Sequence, residues 1–161
     1  MPRIELQLKA TLENLTNLHP FGDDFRWYLK IRCANCGEET KDFVYLCANE
    51  THQIKGSRGS ANMVTKCKLC SRENSIGIVK DSIGIYMIED SNIFKTIVSF
   101  ECRGVELVDF SPRVGFSAEA TGSHTKYEDI NLGDRDWAEY DDDGDQSVGI
   151  YSLEHRFIPK K

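Results

Sequence analysis

Residues 25–36 read Phe-Arg-Trp-Tyr-Leu-Lys-Ile-Arg-Cys-Ala-Asn-Cys, a stretch that predicts both the fold and the chemistry of the chain. From Phe25 to Cys33, apolar residues alternate with polar or charged ones, which is typical of a β-strand with one buried face. The strand pattern ends in Cys33-Ala-Asn-Cys36, where two residues separate two thiols. A turn of this kind can present both sulfurs to one metal ion.

A second CxxC pair, Cys67-Lys-Leu-Cys70, follows after 30 intervening residues. Two pairs supply four thiolates, which form a closed tetrahedral shell around Zn²⁺ and leave no position for water, so the predicted site is structural. The spacer exceeds the roughly 15 to 20 residues of the compact motif, but a hairpin through residues 43–47 and a Gly/Ser-rich loop can bring the pairs together. The metal ligands predicted here are Cys33, Cys36, Cys67 and Cys70.

Three other interpretations of the four cysteines stay open. The same ligands can hold an iron–sulfur cluster or Cu(I). The thiols can be buried and free, or they can form two redox CxxC pairs. Redox CxxC pairs normally lie at the start of a helix in a βαβ unit, a pattern that this sequence does not contain.

Most of the remaining chain also alternates with a period of two, and the alternating segments are separated by turn-forming Gly, Asn, Asp and Ser. Beyond residues 25–33, these segments are 4–10, 43–47, 76–79, 83–88, 94–102, 105–110 and 148–157. Residues 10–18 offer the best helix pattern, but Asn14, Thr16 and Asn17 disfavour a helix, so we expect a strand that runs into a loop. The sequence predicts an all-β fold, sandwich-like or barrel-like.

Residues 25–33 and 94–102 form a weak repeat at an offset of 69 positions, since each begins with Phe and a basic residue and ends with Cys. Cys102 is followed by Arg103 and Gly104 and has no second thiol near it. The repeat predicts two similar halves, a zinc-bearing half over residues 1–90 and a metal-free half over 91–161, which can also form one compact unit. The alternative is a chance similarity between two alternating strands.

The composition is that of a soluble globular protein, with 161 residues of which 40% are apolar. No stretch reaches the roughly 18 apolar residues of a membrane span, and the first 15 residues carry charges where a secretory signal needs an apolar core. We expect a cytoplasmic monomer with access to the nucleus. A reducing compartment favours metal binding over disulfides for paired cysteines.

The net charge of −6 is concentrated in one segment, residues 134–145, which runs from Asp134 to Asp145 and carries seven acids and one Arg. A basic segment, residues 55–72, begins at Lys55, ends at Arg72 and contains no acid. Its lysines and arginines can offset the formal charge of −2 on Zn²⁺ with four thiolates. A zinc-ribbon nucleic-acid binder acting through this basic segment is an alternative function, although the overall charge does not favour nucleic acid.

A small-residue loop over residues 55–62 can present backbone N–H groups to an anion. It begins at Lys55 and ends at Asn62, and it lacks the Gly-Lys-Ser/Thr of a P-loop. A solvated hairpin loop near the cysteines is the simpler interpretation.

Two cysteines lie outside the CxxC pairs. Cys47 lies in an apolar strand pattern, and Cys102 is flanked by Glu101 and Arg103. A methionine-sulfoxide-reductase-like thiol enzyme using Cys102 is an alternative, but residues 100–104 do not supply the Arg-x-Cys-x-Asn setting expected of that nucleophile. We therefore expect no catalytic residues and no enzymatic activity.

Three long segments resemble the eukaryotic CXXC-motif-containing zinc-binding proteins, a family without an assigned activity. They read FRWYLKIRCANCGE from residue 25, KGSRGSANMVTKCKLCSRENS from residue 55 and FKTIVSFECRGVELVDFSPRVGFSAE from residue 94. The resemblance implies a mostly β protein of two similar halves, with one zinc on Cys33, Cys36, Cys67 and Cys70. It leaves the role open, and we expect a non-catalytic protein that binds a protein or metal-handling partner.

Overall fold

A computed structural model describes residues 2–56 and 59–160 of the chain, which form an almost entirely β structure. The strands are β1 (Arg3–Glu13), β2 (Leu15–Pro20), β3 (Trp27–Cys33), β4 (Val44–Leu46), β5 (His52–Gln53), β6 (Ser60–Ala61), β7 (Met63–Lys66), β8 (Glu73–Ile78), β9 (Lys95–Arg103), β10 (Val105–Ser111), β11 (Phe116–Ala120), β12 (Lys126–Ile130), β13 (Trp137–Asp141) and β14 (Gln146–Lys160). The one helix in these residues is a 3₁₀ turn, Ile88–Asp90. The prediction of an all-β protein is confirmed.

The largest sheet has six strands in the order β13-β14-β1-β9-β8-β7, and every neighbouring pair is antiparallel. β1 lies at its centre and pairs with β14 on one side and β9 on the other. The sheet is therefore built from strands of both predicted halves. The hairpin of β7 and β8, which carries the second CxxC pair in its turn, forms one edge.

Three smaller sheets complete the fold. Two of them have three strands, in the orders β10-β3-β4 and β12-β11-β2, and β5 and β6 form a short ribbon. The first CxxC pair lies at the end of β3, the middle strand of its sheet. The two cysteine pairs thus start from different sheets.

The core lies between the six-stranded sheet and the smaller sheets. The indole of Trp27 on β3 lies 6.0 Å from the ring of Phe100 on β9 and 6.2 Å from that of Phe110 on β10, measured between centroids. Phe25 links this cluster to Phe116 on β11, at 4.9 Å. Buried Leu, Ile and Val side chains surround the rings, so most of the fold has apolar support that does not depend on a metal.

Two local predictions are wrong. Residues 15–20 form strand β2 rather than a loop, because Asn14 turns the chain at φ +50° and Leu15 and Leu18 then enter the core. Residues 83–88 form no strand beyond a single bridge between Leu18 and Tyr86. The rest of residues 83–87 is irregular backbone that leads into the 3₁₀ turn at Ile88. The buried hydroxyl of Tyr86 lies 2.7 Å from the carbonyl oxygen of Ile93, within reach to donate to it, and so ties this segment to the turn that follows.

The two segments of the weak repeat lie in different sheets but occupy comparable positions. β3 is flanked by β10 and β4, and β9 is flanked by β1 and β8. Cys33 and Cys102 are both buried near the ends of their strands. β9 is followed by a turn at Gly104 and has no CxxC knuckle. The relation between the two halves stays a prediction.

Candidate metal centre

The four paired cysteines, distant in sequence, converge on one point. The sulfur of Cys33 lies 3.7 Å from that of Cys70, and the sulfur of Cys36 lies 3.5 Å from that of Cys67. All four sulfur atoms lie within 4.8 Å of one another. These separations far exceed a disulfide bond of about 2.05 Å, and all four thiols are free. The four cysteines are positioned to hold a metal ion.

The two turns that carry the cysteines have the same backbone geometry. In each turn, the backbone N–H of the first cysteine donates to the carbonyl oxygen of the residue five positions later. The backbone N–H of the residue four positions later donates to the carbonyl oxygen of that same cysteine. The bonds run from Cys33 to Glu38 at 2.8 Å, Gly37 to Cys33 at 2.8 Å, Cys67 to Arg72 at 2.8 Å and Ser71 to Cys67 at 2.9 Å. The residue after each pair, Gly37 or Ser71, is left-handed, with φ of +84° and +65°. The matching turns present two sulfurs each to the shared point.

Hydrogen bonds stabilise a negative charge on Cys33. The backbone N–H of Cys36, and then the amide of buried Asn74, lower the pKa of the Cys33 thiol to about 6. The side-chain amide of Asn74 can take two orientations. In one, its Nδ2 lies 3.5 Å from the Cys33 sulfur, and in the other, its Nδ2 donates to the carbonyl oxygens of Glu73 and Gly104 at 3.2 Å. The backbone N–H of Cys36 favours the thiolate in either case.

The close approach of the other sulfurs raises the pKa of the Cys36 thiol. The backbone N–H of Glu38 lowers its pKa, but desolvation and hydrogen bonds with the other three thiols outweigh that contribution and raise it to about 12. Four neighbouring thiolates therefore need a cation to balance their charge. A metal ion supplies that charge and displaces the protons.

The donor set and its dimensions fit Zn²⁺. Four sulfurs at Zn–S distances of about 2.3 Å in a tetrahedron lie roughly 3.8 Å apart, close to the two sulfur separations of 3.5 and 3.7 Å. Tetrahedral four-sulfur sites are typical of zinc or iron–sulfur centres. The geometry admits the predicted metal.

A cleft of about 580 Å³ opens beside the cluster. It is lined by residues of β7, the outermost strand of its sheet, and by the segment that leads from β3 to β4, together with Cys33 and Cys67. Lys66 and Lys68 of the basic segment also line it, near the place where four thiolates would concentrate negative charge.

The loop over residues 55–62 lies only partly within the described residues, since Ser57 and Arg58 are outside them. Asn62 has a structural role, because its Oδ1 accepts from the N–H of Ile78 at 2.7 Å and its Nδ2 donates to the carbonyl of Glu50 at 3.0 Å. Anion binding by this loop stays a prediction.

Sequence reasoning missed a buried carboxylate in the acidic segment. Asp141 is 1% exposed and accepts hydrogen bonds from Ser123 at 2.5 Å, Thr125 at 2.9 Å and Gln146 at 3.1 Å. These bonds, that of Ser123 first, lower the pKa of Asp141 to about 2. The local sequence does not separate Asp141 from its exposed neighbours Asp142 and Asp143, because two of its partners, Ser123 and Thr125, lie on another turn. The third, Gln146, is its cross-strand neighbour in the β13–β14 hairpin.

A second unpredicted contact joins His155 to Asp109 and Arg135. The His155 Nδ1 lies 3.0 Å from the Arg135 Nη1, and its Nε2 lies 3.0 Å from the Asp109 Oδ1. Arg can only donate, so Nδ1 accepts and the neutral ring donates from Nε2 to Asp109. Burial and then the charge of Arg135 lower the pKa of His155. Both ring nitrogens are occupied, which leaves this His no free lone pair for base catalysis.

Cys102 is buried, with 3% of its surface exposed, and burial raises the pKa of its thiol to about 12. It lines a cavity of about 380 Å³ whose walls include Ile4, Leu107 and Phe157. These surroundings favour a neutral thiol. Cys47 is buried as well, with its sulfur 3.1 Å from the Asn49 Oδ1.

A known protein family matches almost the whole chain. The family model described as CXXC motif containing zinc binding protein, eukaryotic, matches residues 5–158. The chain belongs to this family. It is 57% identical to the CXXC motif containing zinc binding protein of Bos taurus and 56% identical to that of Homo sapiens, in each case over 98% of this chain and 99% of the relative.

Solved structures agree with the family assignment. The crystal structure of C1orf123 superposes with a TM-score of 0.93 at 56% identity and covers 97% of this chain and 98% of its own. A hypothetical protein from Plasmodium falciparum superposes with a TM-score of 0.90 at 31% identity, over 98% of this chain and 100% of that one.

The family and the four-cysteine cluster together make this a zinc-binding protein, as predicted. Over the described ranges 2–56 and 59–160, no helix is long and apolar enough to cross a membrane.

Proposed function

We propose that Cys33, Cys36, Cys67 and Cys70 hold one structural Zn²⁺ and that the protein acts by binding a protein partner, without catalysis. The convergence of four sulfurs within 4.8 Å, from turns of matching geometry, carries this proposal. Four thiolates fill a tetrahedral shell and leave no position for the water or substrate that a catalytic zinc needs.

The position of the zinc site supports a structural role. The Cys33 turn extends from the sheet β10-β3-β4, and the Cys67 turn joins two strands of the six-stranded sheet. One ion would therefore clamp two sheets together and fix the walls of the adjacent cleft.

The candidate catalytic groups outside the metal centre support a non-catalytic role. Cys102 lies in the core, where the protonated thiol is favoured, and thiols react as thiolates. Both ring nitrogens of His155 are occupied by contacts with Arg135 and Asp109.

We place the protein in the cytoplasm, with access to the nucleus, and take it to be a monomer when no partner is bound.

Native mass spectrometry of the purified protein tests the proposal. We expect one zinc per chain and its loss when any one of the four cysteines is changed to Ser, because structural zinc contributes apparent free energies of about 10 to 16 kcal/mol in small finger peptides. Cys47→Ala and Cys102→Ala are matched controls that should keep the metal. Full zinc retention by Cys67→Ser would exclude this ligand set.

A further inference from the structure

The outer face of the sheet β10-β3-β4 carries cations stacked on aromatic rings. Its members, which we call the stacked face, are Arg26, Tyr28, Lys30, Phe43, Tyr45 and Arg113. The Arg26 guanidinium lies 4.4 Å from the ring centroid of Tyr45, and that of Arg113 lies 3.9 Å from the centroid of Tyr28. The Lys30 ammonium lies 5.1 Å from the centroid of Phe43.

Strand alternation builds this face. Trp27 and Leu29 of β3 are buried, so Tyr28 and Lys30 project to the opposite side. Tyr28 pairs directly with Tyr45 on β4, and their ring centroids lie 5.7 Å apart. The aromatic side chains therefore form a platform on which the cations lie.

The cation–π contacts are concentrated on this face. Four of the six such contacts in the described residues lie on it, and three cations share them. A single sheet face thus concentrates positive charge on a chain whose net charge is −6.

The cations of the stacked face are not neutralised by ion pairs. Arg32, also on β3, is paired with Glu39 at 3.0 Å and lies 3.9 Å from Glu106. In the described part of the chain, Arg26, Lys30 and Arg113 form no ion pair with an acid. Three positive charges are therefore available to an external anion.

The geometry favours carboxylates. Arg26 and Arg113 are exposed, and the terminal N–H groups of a guanidinium can hold a carboxylate with two parallel hydrogen bonds. The Arg113 Nε already donates to the Ser111 Oγ at 3.1 Å, which orients that guanidinium. The ring faces of Tyr28 and Tyr45 are covered by Arg113 and Arg26, which hinders stacking of a nucleobase there. Affinity for nucleic acid comes largely from neutralised phosphates, and the three cations of this face can contact only a few of them.

The adjacent strand favours an extended chain as the occupant. β4 (Val44–Leu46) is the outer strand of its sheet, and no other strand of residues 2–56 and 59–160 pairs with its outer side, so that side can pair with an added strand. We infer that the stacked face and the edge of β4 bind an acidic, extended segment of a partner protein, with carboxylates on Arg26 and Arg113. The inference rests on the proposed partner-binding function and gives the partner its chemistry.

Fluorescence anisotropy with the zinc-loaded full chain tests this inference. The probe is a fluorescein-labelled eight-residue peptide of alternating Glu and Val, and a peptide of alternating Gln and Val is its neutral counterpart. We expect saturable binding of the acidic peptide alone, weakened at least tenfold in the double variant Arg26→Gln/Arg113→Gln. Arg156→Gln is a matched control that should bind normally, because its guanidinium lies 4.1 Å from the ring centroid of Phe94, outside the stacked face.

Three results would overturn the inference. These are no saturable binding of the acidic peptide up to about 1 mM, undiminished binding by the double variant, and tighter binding of a ten-nucleotide single-stranded oligouridine. Zinc content and thermal unfolding are measured on the same samples. If the protein retains one zinc per chain but does not bind the acidic peptide, this inference is wrong and the proposed metal site is unaffected.

Discussion

The sulfur of Cys36 lies 3.5 Å from the sulfur of Cys67, although 31 positions separate the two residues in the chain. The first belongs to the turn after β3 and the second to the turn between β7 and β8, so their contact joins two sheets. Both turns are held by the same pair of backbone hydrogen bonds. A metal ion at this point would therefore stabilise tertiary structure as well as two local turns.

Removal of zinc should loosen the metal centre but leave the six-stranded sheet folded. After chelation under reducing conditions, we expect the amides of Cys33 and Cys67, which donate across their turns, to exchange with deuterium at least tenfold faster. Amides of β1, which pairs with β9 and β14 around an apolar core, should keep their protection. Hydrogen exchange followed by NMR measures both. Global loss of protection would contradict a core that is independent of the metal.

Gly37→Ala should destabilise the first turn through backbone strain alone. Gly37 has φ +84°, which costs an L-residue about 1–2 kcal/mol, and an added Cβ would meet no atom within 4 Å. Gly77 in β8 is the matched control, because its Cβ would also meet no atom within 4 Å but its φ is not left-handed. Urea unfolding should show a loss near 1 kcal/mol for Gly37→Ala and almost none for Gly77→Ala. Equal effects would refute the strain argument.

The sequence predicts the cysteine pairs well because CxxC spacing is a local property of the chain. The alternation around Phe25 and Trp27 likewise identifies their buried face correctly. Tyr86 and Asp141 were not predictable in this way, since their roles depend on partners brought in by the fold. The hydroxyl of Tyr86 is tied to the carbonyl oxygen of Ile93, beyond the 3₁₀ turn, and three side chains that close around Asp141 distinguish it from the acids beside it.

Asp141 should contribute stability that depends on pH. Its pKa in the folded state, about 2, lies below the ordinary value of 3.8, so its contribution is complete above about pH 4 and is lost as the pH falls towards 2. Asp141→Asn should lower the thermal midpoint at pH 7 by roughly 4 °C and flatten the acid dependence in that window.

The exposed neighbour Asp142 provides the control for that experiment. Asp142→Asn removes the same charge from the acidic segment and should keep the wild-type midpoint and pH profile. Differential scanning calorimetry from pH 2 to 7 compares the three proteins. If the two variants behave alike, the net charge of the segment, rather than the buried hydrogen bonds of Asp141, governs its stability.

Cys102 should react slowly with iodoacetamide in the native, zinc-loaded protein, because it is buried and the pKa of its thiol is raised to about 12. Peptide mass mapping after timed labelling across pH measures the rate at this site, and the same labelling in urea is the reference for a free thiol. Rapid single-site labelling of Cys102 below about pH 7 would instead support a thiol enzyme.

The ligand set of the bound metal is the central claim, and zinc K-edge X-ray absorption of the purified full-length protein tests it most directly. We predict a first coordination shell of four sulfur atoms at about 2.3 Å, supplied by Cys33, Cys36, Cys67 and Cys70. A shell that contains nitrogen or oxygen, or fewer than four sulfurs, would contradict the closed four-thiolate site.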